Sequence, residues 1–131
     1  MAVNHYINHE SKVIITTLQG NLTPADCILM LKEYQHNIQC HEDYVDYNEV
    51  FDVSDAVINL TISGLLELGR VASKTDHLFV HKKLAFIVGT AKSFTLARMY
   101  QVYRNMGENS SKEISVFTSK DEAILWAQNN D

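Results

Sequence analysis

Short apolar runs that alternate with amphipathic stretches predict an α/β fold. The expected architecture is a single domain over residues 1–131, with a mostly parallel sheet, an antiparallel N-terminal edge strand and four helices. Three observations carry this. The runs NEVFDV, KLAFIVG and EISVF read as short strands, and KLAFIVG is almost continuously apolar, as a strand covered on both faces is. Each is followed, after a few small or polar residues, by apolar residues at helical spacing. No repeat, linker or low-complexity tract interrupts the series, and the single proline is Pro24.

The elements follow in order. HYIN, the polar HES and KVIITTLQG read as a β-hairpin that enters the domain along one edge. Thr23 then offers an N-cap, Pro24 suits the first helical position, and Asp26 lies where the helix dipole favours an acid. Cys27, Leu31, Tyr34 and Ile38 recur at helical spacing and mark the core-facing side of this helix. Gln39 to Asn48 reads as a polar loop before NEVFDV. In FDVSDAVINLTISGLLELGRVA a small-residue turn leads to a second helix, opened by Asn59 or Thr61, with a buried stripe of Ile62, Leu65, Leu66, Gly69 and Ala72. Gly69 costs helix propensity, which predicts that another backbone packs closely there. After KLAFIVG, Thr90 caps a third helix that continues through Phe94, Ala97, Tyr100 and Tyr103 to Gly107. EISVF is the last strand, and Ser119 with Glu122 fits a capping box for a final helix carrying Ala123, Trp126 and Ala127. The predicted order is β-β-α-β-α-β-α-β-α.

With 46% apolar and 21% charged residues over 131 positions, the composition is globular, and the length suffices to bury about two-thirds of the unfolded surface. The longest apolar runs fall short of the ~20 residues of a membrane span, and MAVNHYINHE lacks the basic flank and apolar core of a signal peptide. A soluble, cytoplasmic protein is expected. The net charge of −5 argues against binding nucleic acid by neutralising phosphates. Charge is unevenly spread: Glu42, Asp43, Asp46, Glu49, Asp52 and Asp55 fall together, and Arg70, Lys74, Lys82, Lys83, Lys92, Arg98 and Arg104 follow with few acids between. Such asymmetry reads either as a solvated surface or as a device that orients a partner or a second copy.

Catalytic and metal chemistry find little support. Cys27 lies in a helical apolar pattern and Cys40 in a polar segment, so neither implies a disulfide or a nucleophile. The pairs His5 and His9 or His77 and His81, and the cluster His36, Cys40 and His41, lack the paired spacing of a four-ligand zinc site. No metal and no cofactor are expected. Asp52 and Asp55 close a parallel strand, where open α/β sheets bind ligands, and a hydrolase using Asp52 is the enzymatic alternative. Their Asp-x-x-Asp spacing departs from the Asp-x-Asp of dehalogenase-like phosphatases. Gly89-Thr90-Ala91-Lys92-Ser93 lacks the Gly-Lys-Ser/Thr adjacency of a phosphate loop, leaving Thr90 as a cap beside a helix terminus able to hold an anion weakly. On the third helix, Arg98 with Tyr100 and Tyr103 could bind a carboxylate or phosphate, anchor a protein interface, or pair structurally with Glu67.

Four stretches carry a family resemblance. GNLTPADCILML is similar to a Gly-x-Leu-Thr-x-x-Asp entry into a first helix, and FDVSDAVINLTISGLLELG to a strand, loop and second helix. KLAFIVGTAKSFTLARMY resembles an apolar strand before a helix with Ala-Arg-Met, and ISVFTSKDEAILWA a closing Val-Phe, Glu-Ala, Trp signature. Together they resemble the SpoIIAA-like branch of the STAS-related fold over most of the chain. The resemblance implies a non-catalytic regulatory or binding domain. Its better-known members, anti-sigma-factor antagonists, switch through a serine in an Asp-Ser-Ser-Gly turn. With Gly64 aligned to that glycine, Thr61 stands at the aspartate, Ile62 at the phosphorylated serine and Ser63 at the second serine, so acid and phosphoacceptor are both missing. Thr61 and Ser63 then read as helix-opening residues or as modification sites. The leading expectation is action through protein–protein contacts, with a protein partner or as a homodimer. The alternative, from the similarity of this fold to lipid-binding CRAL-TRIO domains, is a carrier or sensor of a lipid-like or anionic small molecule. Arg98, Tyr100, Tyr103, Thr90 and Ser63 are the candidate binding residues. A pocket under the second and third helices would favour the carrier, and a flat apolar patch the partner.

Overall fold

NEVFDV, KLAFIVG and EISVF pair in parallel and form part of a sheet that the N-terminal hairpin extends. In the computed structural model, which describes residues 1–79, 81–106 and 112–129, the elements are β1 (Ala2–Asn8), β2 (Val13–Leu22), α1 (Pro24–Tyr34), β3 (Asn48–Asp52), β4 (Ala56–Ile58), α2 (Ile62–Ser73), β5 (Lys82–Ile87), α3 (Ala91–Asn105), β6 (Lys112–Phe117) and α4 (Lys120–Gln128). The sheet order is β1-β2-β3-β5-β6, with β1 antiparallel to β2 and the other neighbours parallel. The predicted α/β class, edge strand and four helices are therefore present. Gly107, the expected end of α3, lies outside the described residues.

β4 is the element that the predicted order lacks. Its three residues pair in parallel with Gly20, Asn21 and Leu22, the end of β2 that outruns β1 and β3. Gly20 has φ +86°, which glycine adopts without strain where β2 passes from one set of partners to the next. A second difference follows α1. The chain does not enter a loop at Gln39 but makes a π-helical turn over Gln35–Gln39, which buries the Gln39 side chain.

The N-cap residues stand where predicted, although at α4 only the Ser119 half of the expected capping box with Glu122 is formed. The hydroxyls of Thr23, Thr61, Thr90 and Ser119 accept from the backbone N–H of Asp26, Gly64, Ser93 and Glu122. The stripe of α2 is narrower than expected. Leu65, Gly69 and Ala72 are buried, whereas Ile62 and Leu66 are exposed on the turns between them. Gly69 is needed for close approach, but to a ring and not to a backbone: a Cβ there would overlap Tyr103 of α3.

α1, α2 and α3 cover one face of the sheet and α4 the other. On the α4 face, Ala123 and Ala127, both fully buried, let the helix sit close to Val13, Val50, Ala85 and Ile87. Asn48 fixes this packing by donating to the Ala127 carbonyl at 2.8 Å and accepting from the Lys83 N–H at 2.9 Å. Lys83 Nζ donates to the carbonyls of Trp126 and Asn129, holding the carboxyl end of α4. Among the described residues no helix is long and apolar enough to cross a membrane.

Candidate functional site

Strand parity puts Leu18, Phe51, Leu84 and Phe86 on the face under α1–α3. The helices above them contribute small residues, Cys27, Ala72 and Ala97, beside larger ones such as Leu31, Leu65 and Leu96. Small side chains set against large ones leave a cavity of about 130 Å³ between the sheet and the three helices. Its lining is almost wholly apolar at the end formed by Leu22, Val53, Ile58 and Leu60. Polar atoms gather toward the other end, where Gln39, Arg104 and Lys112 reach it.

That polar end is built on the amino ends of the strands. One row across the sheet reads Ile7, Ile14, Glu49, Leu84, Ile114, so a carboxylate occupies an otherwise apolar row in the central strand β3. On the same face, two residues earlier along β5 and β6, Lys82 and Lys112 stand side by side. All three side chains are buried. Glu49 accepts from Tyr34 Oη at 2.5 Å, from Gln39 Nε2 at 3.0 Å and from Lys112 Nζ, which lies 2.8 Å away. Lys82 Nζ is farther off, 3.8 Å from Glu49 Oε1, and lies 4.0 Å from the centroid of the Phe79 ring. A second buried pair adjoins them: Arg104 donates to Asp76 at 2.5 Å and to Tyr100 Oη at 2.9 Å.

The electrostatics follow from this arrangement. Burial alone would push the Glu49 carboxyl up, but the Lys112 and Lys82 ammoniums, with bonds from Lys112 and Tyr34, outweigh it and hold it at about 2. Burial, helped by the neighbouring Lys112, lowers Lys82 against the pull of Glu49. Tyr34 is pushed well up by burial and by the Glu49 charge, so it stays a neutral donor. Burial also raises the Cys27 thiol to about 11, which makes it an inert part of the wall.

No family model matches the chain, and no curated protein matches it in sequence. In structure it is similar to an uncharacterized protein of the DUF3478 family, with a SpoIIAA-like fold, from Shewanella loihica PV-4. The TM-score is 0.58 at 14% identity, over 96% of this chain and 92% of that one. This chain has a SpoIIAA-like fold.

Within the SpoIIAA-like fold the residues singled out in the sequence do not form one site. Tyr100 is buried, lines the cavity and receives the Arg104 bond. Tyr103 lies half-buried on Gly69. Arg98 is exposed on the outer side of α3, and its suggested partner Glu67 is taken by Arg70 on the same helix. Thr90 and Ser93 form a reciprocal capping box, Thr90 Oγ1 accepting from Ser93 N and Ser93 Oγ from Thr90 N, both at 3.1 Å. Thr61 is occupied in accepting from Gly64 N at 3.0 Å, while Ile62 and Ser63 are exposed beside it. Asp52 accepts from Ser54 N and Oγ at 3.0 and 2.6 Å and shares the α4 face with Val50, away from the cavity. Among the described residues no group of three or more His, Cys, Asp or Glu side chains could hold a metal ion.

The residues that sequence reasoning passed over are Glu49, Lys82, Lys112, Gln39 and Arg104. The charge asymmetry was read as surface or as a partner-orienting device, yet Glu49, Asp52, Lys82, Lys83 and Arg104 from those two groups are buried. Parity is the signal that finds them. Glu49 has the parity of Phe51, Lys82 that of Leu84 and Phe86, and Lys112 that of Ile114 and Val116, so each must face inward if its strand does.

Proposed function

We propose that this domain is a non-catalytic binding module that holds a small, mainly apolar molecule between its sheet and helices α1–α3, as a carrier or a sensor. The cavity carries this reading. At about 130 Å³ it is comparable to an engineered cavity of ~150 Å³ that takes benzene. Enclosure by Leu, Phe and Ala side chains favours an apolar body through the area it removes from water. The test uses benzyl alcohol and 1-hexanol with the purified protein. Either probe at saturation raises the melting temperature, and Ala97→Phe, which fills the space, removes that response. No thermal shift with either probe, and no adduct in native mass spectrometry that is lost on denaturation, would refute the reading.

Contact with a protein partner or a second copy is the other reading. It is favoured by the outer side of α3, where Met99, Val102 and Met106 are exposed at helical spacing beside Arg98. Sedimentation of the wild type against Val102→Glu tests the homodimer: a dimer that the substitution dissolves supports it, and a wild-type monomer at high concentration removes it.

A further inference from the structure

We infer that the cavity selects a singly charged anion, a monocarboxylate on a small apolar body, with its head group seated at the end formed by Lys112 and Arg104. This rests on the binding reading above and names its ligand class. Charge counting on the cavity's polar end supports it. Among the described residues three cationic side chains, Lys82, Arg104 and Lys112, and two carboxylates, Glu49 and Asp76, are buried together. Each carboxylate already has a close cation, Lys112 at 2.8 Å for Glu49 and Arg104 at 2.5 Å for Asp76. The remaining positive group is Lys82. Its Nζ is buried and has no hydrogen-bond partner among the described residues. Glu49 cannot serve it better, because its oxygens already accept from Tyr34, Gln39 and Lys112.

A buried ammonium in excess is costly unless an anion balances it. Among the described residues no further acid acts on it: those that do are Glu49, already engaged, and Asp46, exposed and paired with Lys12 at 3.0 Å. The open space adjoining this cluster is the cavity, and two of the cations, Lys112 and Arg104, line it. Among the described residues the excess is one charge, which suits a carboxylate and not a phosphate dianion. From Glu49 to Val53 the strand rises about 13 Å, so a head group at the amino end leaves a short apolar body to lie among Leu68, Leu84 and Ala97.

The experiment compares matched pairs, hexanoate with 1-hexanol and benzoate with benzyl alcohol, by calorimetric titration of the full chain at pH 7. Each carboxylate binds about tenfold or more tighter than its alcohol, the range of a hydrogen bond to a charged group. Lys112→Met brings the ratio to about one while leaving the alcohol affinity within about threefold. Lys82→Met removes the excess charge without breaking a hydrogen bond, and lowers carboxylate affinity severalfold even if Lys112→Met fails to fold. Equal affinity of acid and alcohol in the wild type overturns the inference and leaves the apolar cavity in place. Binding of neither overturns both. A preference that survives both substitutions also overturns it, since the head group then lies elsewhere.

Discussion

Replacing Glu49 by glutamine keeps shape and removes the charge around which the buried cluster is arranged. Two independent routes give the size of the effect. Holding the carboxyl at about 2 instead of its ordinary 4.5 corresponds to about 3 kcal/mol of stability at neutral pH. Breaking a buried ion pair by removing one partner costs about 3–5 kcal/mol, because the other charge is left uncompensated. Here two ammoniums, Lys82 and Lys112, would lose the Glu49 carboxylate, and the new amide would turn a donor toward Tyr34 or Lys112. Glu49→Gln is therefore expected to lose about 3 kcal/mol at pH 7. The sign of the pH dependence follows from the depressed folded-state value. The stabilisation is complete above the ordinary 4.5 and is lost as pH falls toward 2, so the gap between wild type and variant closes over that range. Urea unfolding followed by the single tryptophan, Trp126, at pH 7 and again near pH 3 reads both quantities without adding salt. A loss below about 1 kcal/mol at pH 7, or a gap that does not change with pH, would refute the reasoning. An apolar replacement of the whole cluster, Glu49→Leu with Lys82→Met and Lys112→Met, should recover most of the loss, since Glu49 lies in a row with Ile14, Leu84 and Ile114.

Four further outcomes are expected. Lys82→Met alone changes stability by less than about 1 kcal/mol in urea melts, since removing an unsatisfied buried donor offsets the loss of its cation–π contact with Phe79 and of its attraction to Glu49 at 3.8 Å. Gly69→Ala destabilises by about 1–3 kcal/mol through overlap with the Tyr103 ring, and the same change in a Tyr103→Ala background reverses sign because helix propensity is then the main effect. Thr90→Ala costs about 1 kcal/mol by opening the α3 capping box, read as a shift in thermal midpoint. Arg98→Ala leaves stability within about 0.5 kcal/mol, and weakens any association that the outer side of α3 makes; a cooperative loss of fold in circular dichroism would make Arg98 structural instead.

The features legible in the sequence were those decided within one element. Thr23, Thr61, Thr90 and Ser119 act on residues three positions away, and KLAFIVG needs no knowledge of its neighbours to read as a strand covered on both sides. β4 was hidden because three residues, Ala56–Ile58, are held as a strand only by the overrun of β2, a non-local fact. Tyr103 on Gly69 was half legible: the glycine announced a close approach but not which group makes it. The cluster was hidden differently. Glu49, Lys82 and Lys112 lie 33 and 30 positions apart in the chain and meet only because β3, β5 and β6 are neighbours in register. Glu49 and Lys82 read as surface or partner-orienting charges, and Lys112 stood just before the predicted strand EISVF.

Position in the sheet gives the cluster its consequence. Open α/β sheets commonly hold ligands beyond the carboxyl ends of their strands, and Asp52 drew attention to that end. In this chain the carboxyl end of the helix-covered side is closed by apolar residues from β2, β4 and the start of α2, among them Leu22, Ile58 and Leu65. The buried charges stand at the opposite end, and the cavity lies between an apolar end and a charged one. Hydrophobic transfer draws a molecule into such a space without orienting it. For the proposed ligand, the ammonium and guanidinium groups at one end would supply the direction, because a charged head group is favoured only there. In the proposed binding module an apolar wall and an off-centre excess of positive charge would therefore act together, the first contributing affinity and the second orientation, and removing Lys112 would separate the two.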